Sequence, residues 1–388
     1  MQKKLQQRSE KIDELKQLMT SLENTAYQRW LKGEGIPVVE GFGVEDVREM
    51  RLGAWRRNGG NGAFLNLYGL EGATGMYVAE IPPGGALEPE KHIYEEVICI
   101  LAGQGATEVW QEGGKKRMFE WGPWSVFAPP LNAWHRILNG GREPIKFLAV
   151  TNAPLVMDLY RNAEFVFNCP FIFADRFLGE EEYFNVGQKH YALGMQTMWE
   201  TNFLPDVRAM GVKDELYSKG ADIRLVQFES SGNALIGHVA DWPTGLYHKA
   251  HYHGAGAVLV ILRSEGYTLM WPNEIGTTPY ANRRGDQVID IRWREGAAFS
   301  PPGGWFHQHF NAGKEPARQL AVRYGSRLYP VGLMQAAKKQ TDGVYISVKK
   351  GGTMVEYEDE DPEIRRRYEA ELSRQGVPCK MPPVSGAR

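Results

Sequence analysis

At 388 residues the chain is long enough for two domains, or for one large sheet-based domain with extensions. With 43% hydrophobic and 24% charged residues it has a globular composition, and a net charge of -2 gives no general pull toward nucleic acid or an anionic membrane. Its three cysteines, Cys99, Cys169 and Cys379, are too far apart in sequence for a metal-type cluster and suit a reducing compartment without structural disulfides. The first residues are polar and carry Glu10 and Glu14, so no secretory signal is expected. No apolar run approaches the roughly 18–20 residues of a membrane span. The expectation is a soluble cytoplasmic protein with no nucleic-acid or membrane partner.

Residues 1–30 read as a helix, because Leu5, Ile12, Leu15, Leu18, Met19 and Leu22 recur at three- and four-residue steps among Lys, Gln and Glu. That stripe would pack on the domain or on a second subunit, so a homo-oligomer is expected. From about residue 60 short apolar runs alternate with Gly and Pro pairs, as in GMYVAEIPPGG, EEVICILAGQG and IKFLAVTNAP. Such runs argue for antiparallel strands in a sandwich or barrel. Residues 156–220 are less regular and read as a connector. The strand pattern resumes at about 221 with IRLVQFESSG, ALIGHVADW, VLVILRSEG, YTLMWP, VIDIRW and QLAVRYG. After about 330 it loosens into an acidic stretch, EYEDEDPE, which reads as solvated surface, then a short helix and a Pro-rich tail.

The two strand-rich regions repeat one another. The first carries Gly84, Glu90, His92, Glu96 and Gly103, followed by Pro130, Asn132, His135 and Asn139. The second carries Gly245, His251, His253, Ala257 and Gly266, followed by Pro302, Gly304, His307 and Asn311. His251 and His253 stand two apart, so on a strand they share a face, and His307 answers them from a later strand.

This double motif resembles the cupin superfamily. The resemblance implies an all-β fold of two cupin barrels (double-stranded β-helix, jelly-roll type), with an N-terminal helix and a helical or irregular connector. The expected divisions are 1–55 for the N-terminal helical extension, 56–155 for the first barrel, 156–220 for the connector, 221–330 for the second barrel and 331–388 for the C-terminal extension. Fold alone does not settle function in such a family.

Ala257 stands where the motif usually has glutamate, which leaves His251, His253 and His307 as three neutral nitrogen donors. Imidazole suits iron, copper, nickel and zinc, and three protein ligands leave positions open for catalysis. Ring-cleaving cupin dioxygenases similar to gentisate 1,2-dioxygenase and 1-hydroxy-2-naphthoate dioxygenase use three histidines on Fe(II) and share the His-x-His that His307 and His309 form here. By that similarity His307 is a ligand, and His309 binds a phenolate or moves a proton; a hydrogen bond from His309 to a neighbouring strand is the plainer reading. Those enzymes usually keep the metal in the first cupin, whereas the three-histidine set here is in the second. The first region offers Glu90, His92, Glu96 and His135, a more oxygen-rich set that either binds a different metal or is degenerate. His248 reads as a rim residue.

Arg323 is the first choice to clamp a substrate carboxylate, followed by Arg327 and Arg292. Trp242, Tyr247, Tyr252, Trp271, Trp305 and Phe306 are candidates to wall a pocket for a ring. The reading is a metal-dependent bicupin oxygenase, an Fe(II) dioxygenase using O2 on a hydroxylated aromatic or other small organic acid. Its rivals are a non-oxidative decarboxylase, isomerase or lyase with Mn, Ni or Zn, and a non-catalytic small-molecule binder.

Overall fold

The computed structural model describes residues 25–70, 72–185, 187, 189–193, 196–212, 214–215, 219–254, 256–329 and 346–383. Two small and two large sheets form two barrels. In the first, the strands Gly75–Ile81, Ile145–Thr151 and Glu96–Ala102 are adjacent in an eight-stranded sheet, faced by a three-stranded sheet of Trp134–Leu138, Gly105–Trp110 and Arg117–Trp121. The second repeats this with Leu235–Trp242, Ala317–Tyr324 and Ala257–Arg263 in a nine-stranded sheet, faced by Ile289–Trp293, Gly266–Pro272 and Trp305–Asn311. The fold is the all-β bicupin arrangement that the motif spacing implies. No helix among the described residues is long and apolar enough to cross a membrane.

Alternation within each large sheet explains why its strands are almost wholly apolar. Ile98 and Ile100 point into the first barrel, while Val97, Cys99 and Leu101 point outward into a core shared with Val239, Val258, Val260 and Leu320 of the second. The large sheets thus pack face to face and are buried on both sides, which removes the polar half of the usual alternation. Glu95 ties this junction by accepting from the backbone N–H of Ala234 at 2.8 Å and of Leu235 at 3.0 Å.

The predicted helix over 1–30 lies mostly outside the described residues. A helix α1 spans Ala26–Glu34, capped by Thr25, whose hydroxyl accepts from the Gln28 N–H, and ended by Gly35 in the left-handed region. Beyond Gly35 the N-terminal extension forms short strands and one 3-10 turn, Val47–Glu49. Val38–Gly41 pairs with Gly60–Leu67 in the first sheet, and Gly43–Val44 pairs with Ala298–Phe299 in the second. A Cβ on Gly43 would come within 2.7 Å of the Phe299 Cβ, so the strap requires glycine there. Helix α2 (Ala153–Tyr160) spans the expected boundary at 155/156, α3 (Ala163–Asn168) follows, and the connector then also enters both sheets. Phe203–Leu204 pairs in the first, and Gln196–Glu200 pairs in the second.

The acidic stretch after 355 is not wholly solvated. Asp361 caps helix α4 (Pro362–Gln375) and accepts the Tyr280 and Ala281 N–H groups on its other oxygen, at 2.8 Å each. Buried Glu360 accepts from the Tyr247 hydroxyl and, at 3.0 Å, from the Gln308 amide. Ile364, Tyr368 and Leu372, spaced by four, bury one face of α4 on the second barrel, each worth about 1.5–3 kcal/mol.

Candidate metal centres

The histidines of the second barrel are brought inward by a bulge. Tyr247 sits opposite Phe310 and His251 opposite His307, so four steps on one strand match three on the other. The extra residue flips the alternation, and His248 and His251, three apart, both face the interior. His248 is therefore not at the rim: it is buried, its ring lies 4.6 Å from that of Trp242, and its Nε2 has no hydrogen-bond partner. The first barrel has the same bulge, with Ala86 opposite Leu138 and Glu90 opposite His135.

His251 and His307 exchange both backbone hydrogen bonds, and their rings lie 4.4 Å apart; His253 lies 4.9 Å from His307. One ring nitrogen from each of the three falls within 4.8 Å of the others. His251 Nδ1 is 2.9 Å from the Lys249 carbonyl oxygen, and His307 Nδ1 is 3.1 Å from that of Trp305. A carbonyl only accepts, so the proton sits on Nδ1 and the Nε2 lone pair is left for a metal. Burial pushes the His307 imidazolium down to about 3 and that of His251 well below its ordinary value, so protons do not compete at neutral pH.

His309, one inward position further along its strand, is buried with Nδ1 2.8 Å from the Thr268 hydroxyl, the plainer of its two readings. It also lines the same cavity as the three-histidine set, so that hydrogen bond orients it rather than removing it from the site. Arg323 lines this cavity too, donates to the Gln227 amide oxygen at 2.9 Å, and stands directly opposite Ala257 in the strand ladder. Lys219, His238 and Gln319 complete its polar lining, and no motif spacing marks any of the three in the sequence. The described residues around this cavity include no carboxylate. Two other expected arginines are elsewhere. Arg327 is engaged by Glu229 and Glu200, and Arg292 lies outside the barrel against Glu371. Of the residues expected to form an aromatic wall, Trp242 backs the lining histidines His248 and His309, with rings 4.6 and 6.5 Å away, and the others are elsewhere. Tyr247 packs under α4 against Tyr368, Trp305 lies against Phe42, and Trp271 and Tyr252 pack on Phe306, none of them lining the cavity.

The two repeats differ at matching inward positions. Inward residues Tyr77, Leu87, Ile137 and Phe147 of the first barrel correspond to His238, His248, His309 and Gln319 of the second. Glu96 faces Thr151 across the ladder in the first, where Ala257 faces Arg323 in the second. The framework is retained: Trp121 Nε1 donates to Thr107 at 2.9 Å, and Trp293 Nε1 donates to Thr268 at 3.0 Å.

The first barrel brings His92, Glu96 and His135 together, again with donor atoms within 4.8 Å of one another. Glu96 Oε2 lies 3.7 Å from both histidine Nε2 atoms, too far for hydrogen bonds, and Glu96 Oε2 and His92 Nε2 are buried without partners. Buried polar atoms converging at that spacing fit a divalent ion. The surroundings are closed. The Tyr94 ring stacks on His92 at 3.6 Å, and the Tyr77 hydroxyl donates to the other Glu96 oxygen. Glu90 is outside this set. Burial would raise its carboxyl, but Arg57 and then the two histidines outweigh that and hold it at about 2.

Two duplicated barrels, each turning motif histidines inward, make this a protein of bicupin architecture with two candidate metal centres. No family model matches the chain, and no curated protein matches its sequence. Among solved structures it is similar to variants of oxalate decarboxylase from Bacillus subtilis. One has 12% identity and a TM-score of 0.45 over 74% of this chain and 77% of that one. Another has 12% identity and a TM-score of 0.46 over 76% and 79%. That enzyme contains Mn(II) centres.

Proposed function

We propose that the chain is a metal-dependent enzyme that acts on a small organic acid in its second barrel, where His251, His253 and His307 hold the metal. The observation that carries this is the change of lining between the repeats. Apolar, hydroxyl-bearing and acidic side chains of the first barrel are replaced in the second by histidines, a glutamine and an arginine around a cavity of about 50 Å³. An arginine, a lysine and a divalent metal without a lining carboxylate favour an anionic substrate. The volume is about a third of the roughly 150 Å³ that accepts benzene in an engineered apolar cavity, which favours a short aliphatic acid over an aromatic ring.

A bound metal would supply Lewis acidity toward a substrate oxygen. Arg323 would orient a carboxylate through its planar fork, and His309, His248 and Lys219 are placed to hold or move a proton beside it. This wealth of proton carriers in a small space favours decarboxylation, isomerisation or lyase chemistry. The three neutral donors, which suit Fe(II) and leave positions open for O2, support oxygenation as the second reading. Metal analysis followed by turnover assays on short mono- and dicarboxylates, with and without O2, tests both. Equal rates without O2 select the non-oxidative reaction, and turnover unaffected by removing His251 and His307 together overturns the site.

A further inference from the structure

The duplicated motif places Glu90 where the second barrel has His251, yet Glu90 is engaged by the Arg57 guanidinium. Arg57, from the turn after Gly53–Trp55, has its Nη1 2.5 Å from Glu90 Oε2. Its Nε donates to Glu34 Oε2 at 2.8 Å, and Glu34, the last residue of α1, also accepts from the Trp55 indole N–H. The guanidinium is caged by aromatic rings, 5.1 Å from the centre of Phe167, 5.2 Å from Trp55 and 5.6 Å from Trp30. Glu90 Oε1 remains 3.9 Å from His135 Nε2, but Glu90 is not among the converging donors.

We propose that Arg57 holds Glu90 out of the first barrel's donor set, so that a divalent metal there meets only His92, Glu96 and His135, and that this same arginine couples the site to the docking of α1. A guanidinium gripping two carboxylates inside an aromatic cage is a fixed fork, and a carboxylate committed to it does not swing to a metal. Arg57 is thus a positioning residue. It sets the donor count of the first barrel and ties that count to α1 through Glu34.

This role of Arg57 does not depend on the reaction of the second barrel, and a His251→Ala background, weakened there, isolates it. In that background Mn(II) affinity is measured by electron paramagnetic resonance, and Co(II) coordination by its visible absorption. Glu90→Gln is expected to leave the Mn(II) Kd within about threefold, because Glu90 is not a donor. Arg57→Met frees the carboxylate, and is expected to tighten Mn(II) at least tenfold and alter the Co(II) spectrum, with Arg57→Met/Glu90→Gln returning to the parent values; changes even to the groups that support metal ligands typically move affinity by about 10–100-fold. A tenfold weakening in Glu90→Gln makes Glu90 a donor and overturns the proposal. So does an Arg57→Met protein that folds but binds as the parent does, or a first barrel that takes up no Mn(II). If Arg57→Met does not fold, Glu90→Gln alone decides.

Discussion

Ala257→Glu restores the carboxylate that the first barrel keeps at Glu96, and the structure predicts that it will be captured by Arg323 rather than simply added to the metal. Ala257 and Arg323 are opposite residues of an antiparallel ladder, so their Cβ atoms are about 4.5–5.5 Å apart, within reach of a Glu–Arg pair. Two unit charges at 4 Å attract by about 4 kcal/mol at an effective dielectric of 20. A substrate carboxylate would make the same kind of contact, worth about 1.5–3 kcal/mol as a hydrogen bond to a charged donor, but the tethered glutamate loses no translational freedom in making it, so the permanent partner wins. Losing that contact corresponds to roughly 10- to 150-fold weaker anion binding. Isothermal titration of short carboxylates into metal-loaded protein reads this directly, with Ala257→Gln as the control of equal size. Glutamine fills the cavity without neutralising the arginine and should weaken binding less. If the two variants weaken it equally, filled volume is the cause and Arg323 is not the clamp; if neither does, the acid is not bound there.

His307→Ala should remove one equivalent of metal per chain, measured by plasma mass spectrometry, while the equivalent held by His92, Glu96 and His135 remains. Glu360, which burial raises to about 7 against the opposing hydrogen bonds of Tyr247 and Gln308, keeps its proton in the folded state to higher pH than in the unfolded chain. Its contribution to stability is therefore full below about pH 4.5 and is lost as pH rises through 7, by roughly 3 kcal/mol. Denaturant melts across pH 4–8 should show that fall, and Glu360→Gln should flatten it; an unchanged slope removes Glu360 as its source. Glu95→Ala strips two backbone N–H groups at the barrel junction of their acceptor and should cost about 3 kcal/mol, read as a melting temperature several degrees lower.

Most of this architecture is legible in the chain. Apolar runs such as GMYVAEI and IKFLAVT fall on strands, and the matched spacing from Gly84 and from Gly245 marks the duplication. The three converging histidines follow from the same spacing. The features that are not legible depend on register. Counting in twos cannot see a bulge, so it places His248 at the rim, although aligning Gly84 with Gly245 matches it to Leu87, and aligning His135 with His307 matches His309 to Ile137, both buried. The confrontation of Ala257 with Arg323 appears only once the strand ladder is known, because 66 positions separate them in the sequence. The strap at Gly43–Val44 is two residues long, too short for any periodicity, and the acidic run around Glu360 looks solvated until α4 folds over the second barrel.

A metal held among His251, His253 and His307 is the feature on which the proposed chemistry depends. Crystals of protein purified with its native metal, measured at that metal's absorption edge, place it without reference to activity. The expected result is an anomalous peak about 2.0–2.3 Å from one nitrogen of each of these three histidines. A peak confined to His92, Glu96 and His135, with none in the second barrel, would contradict it.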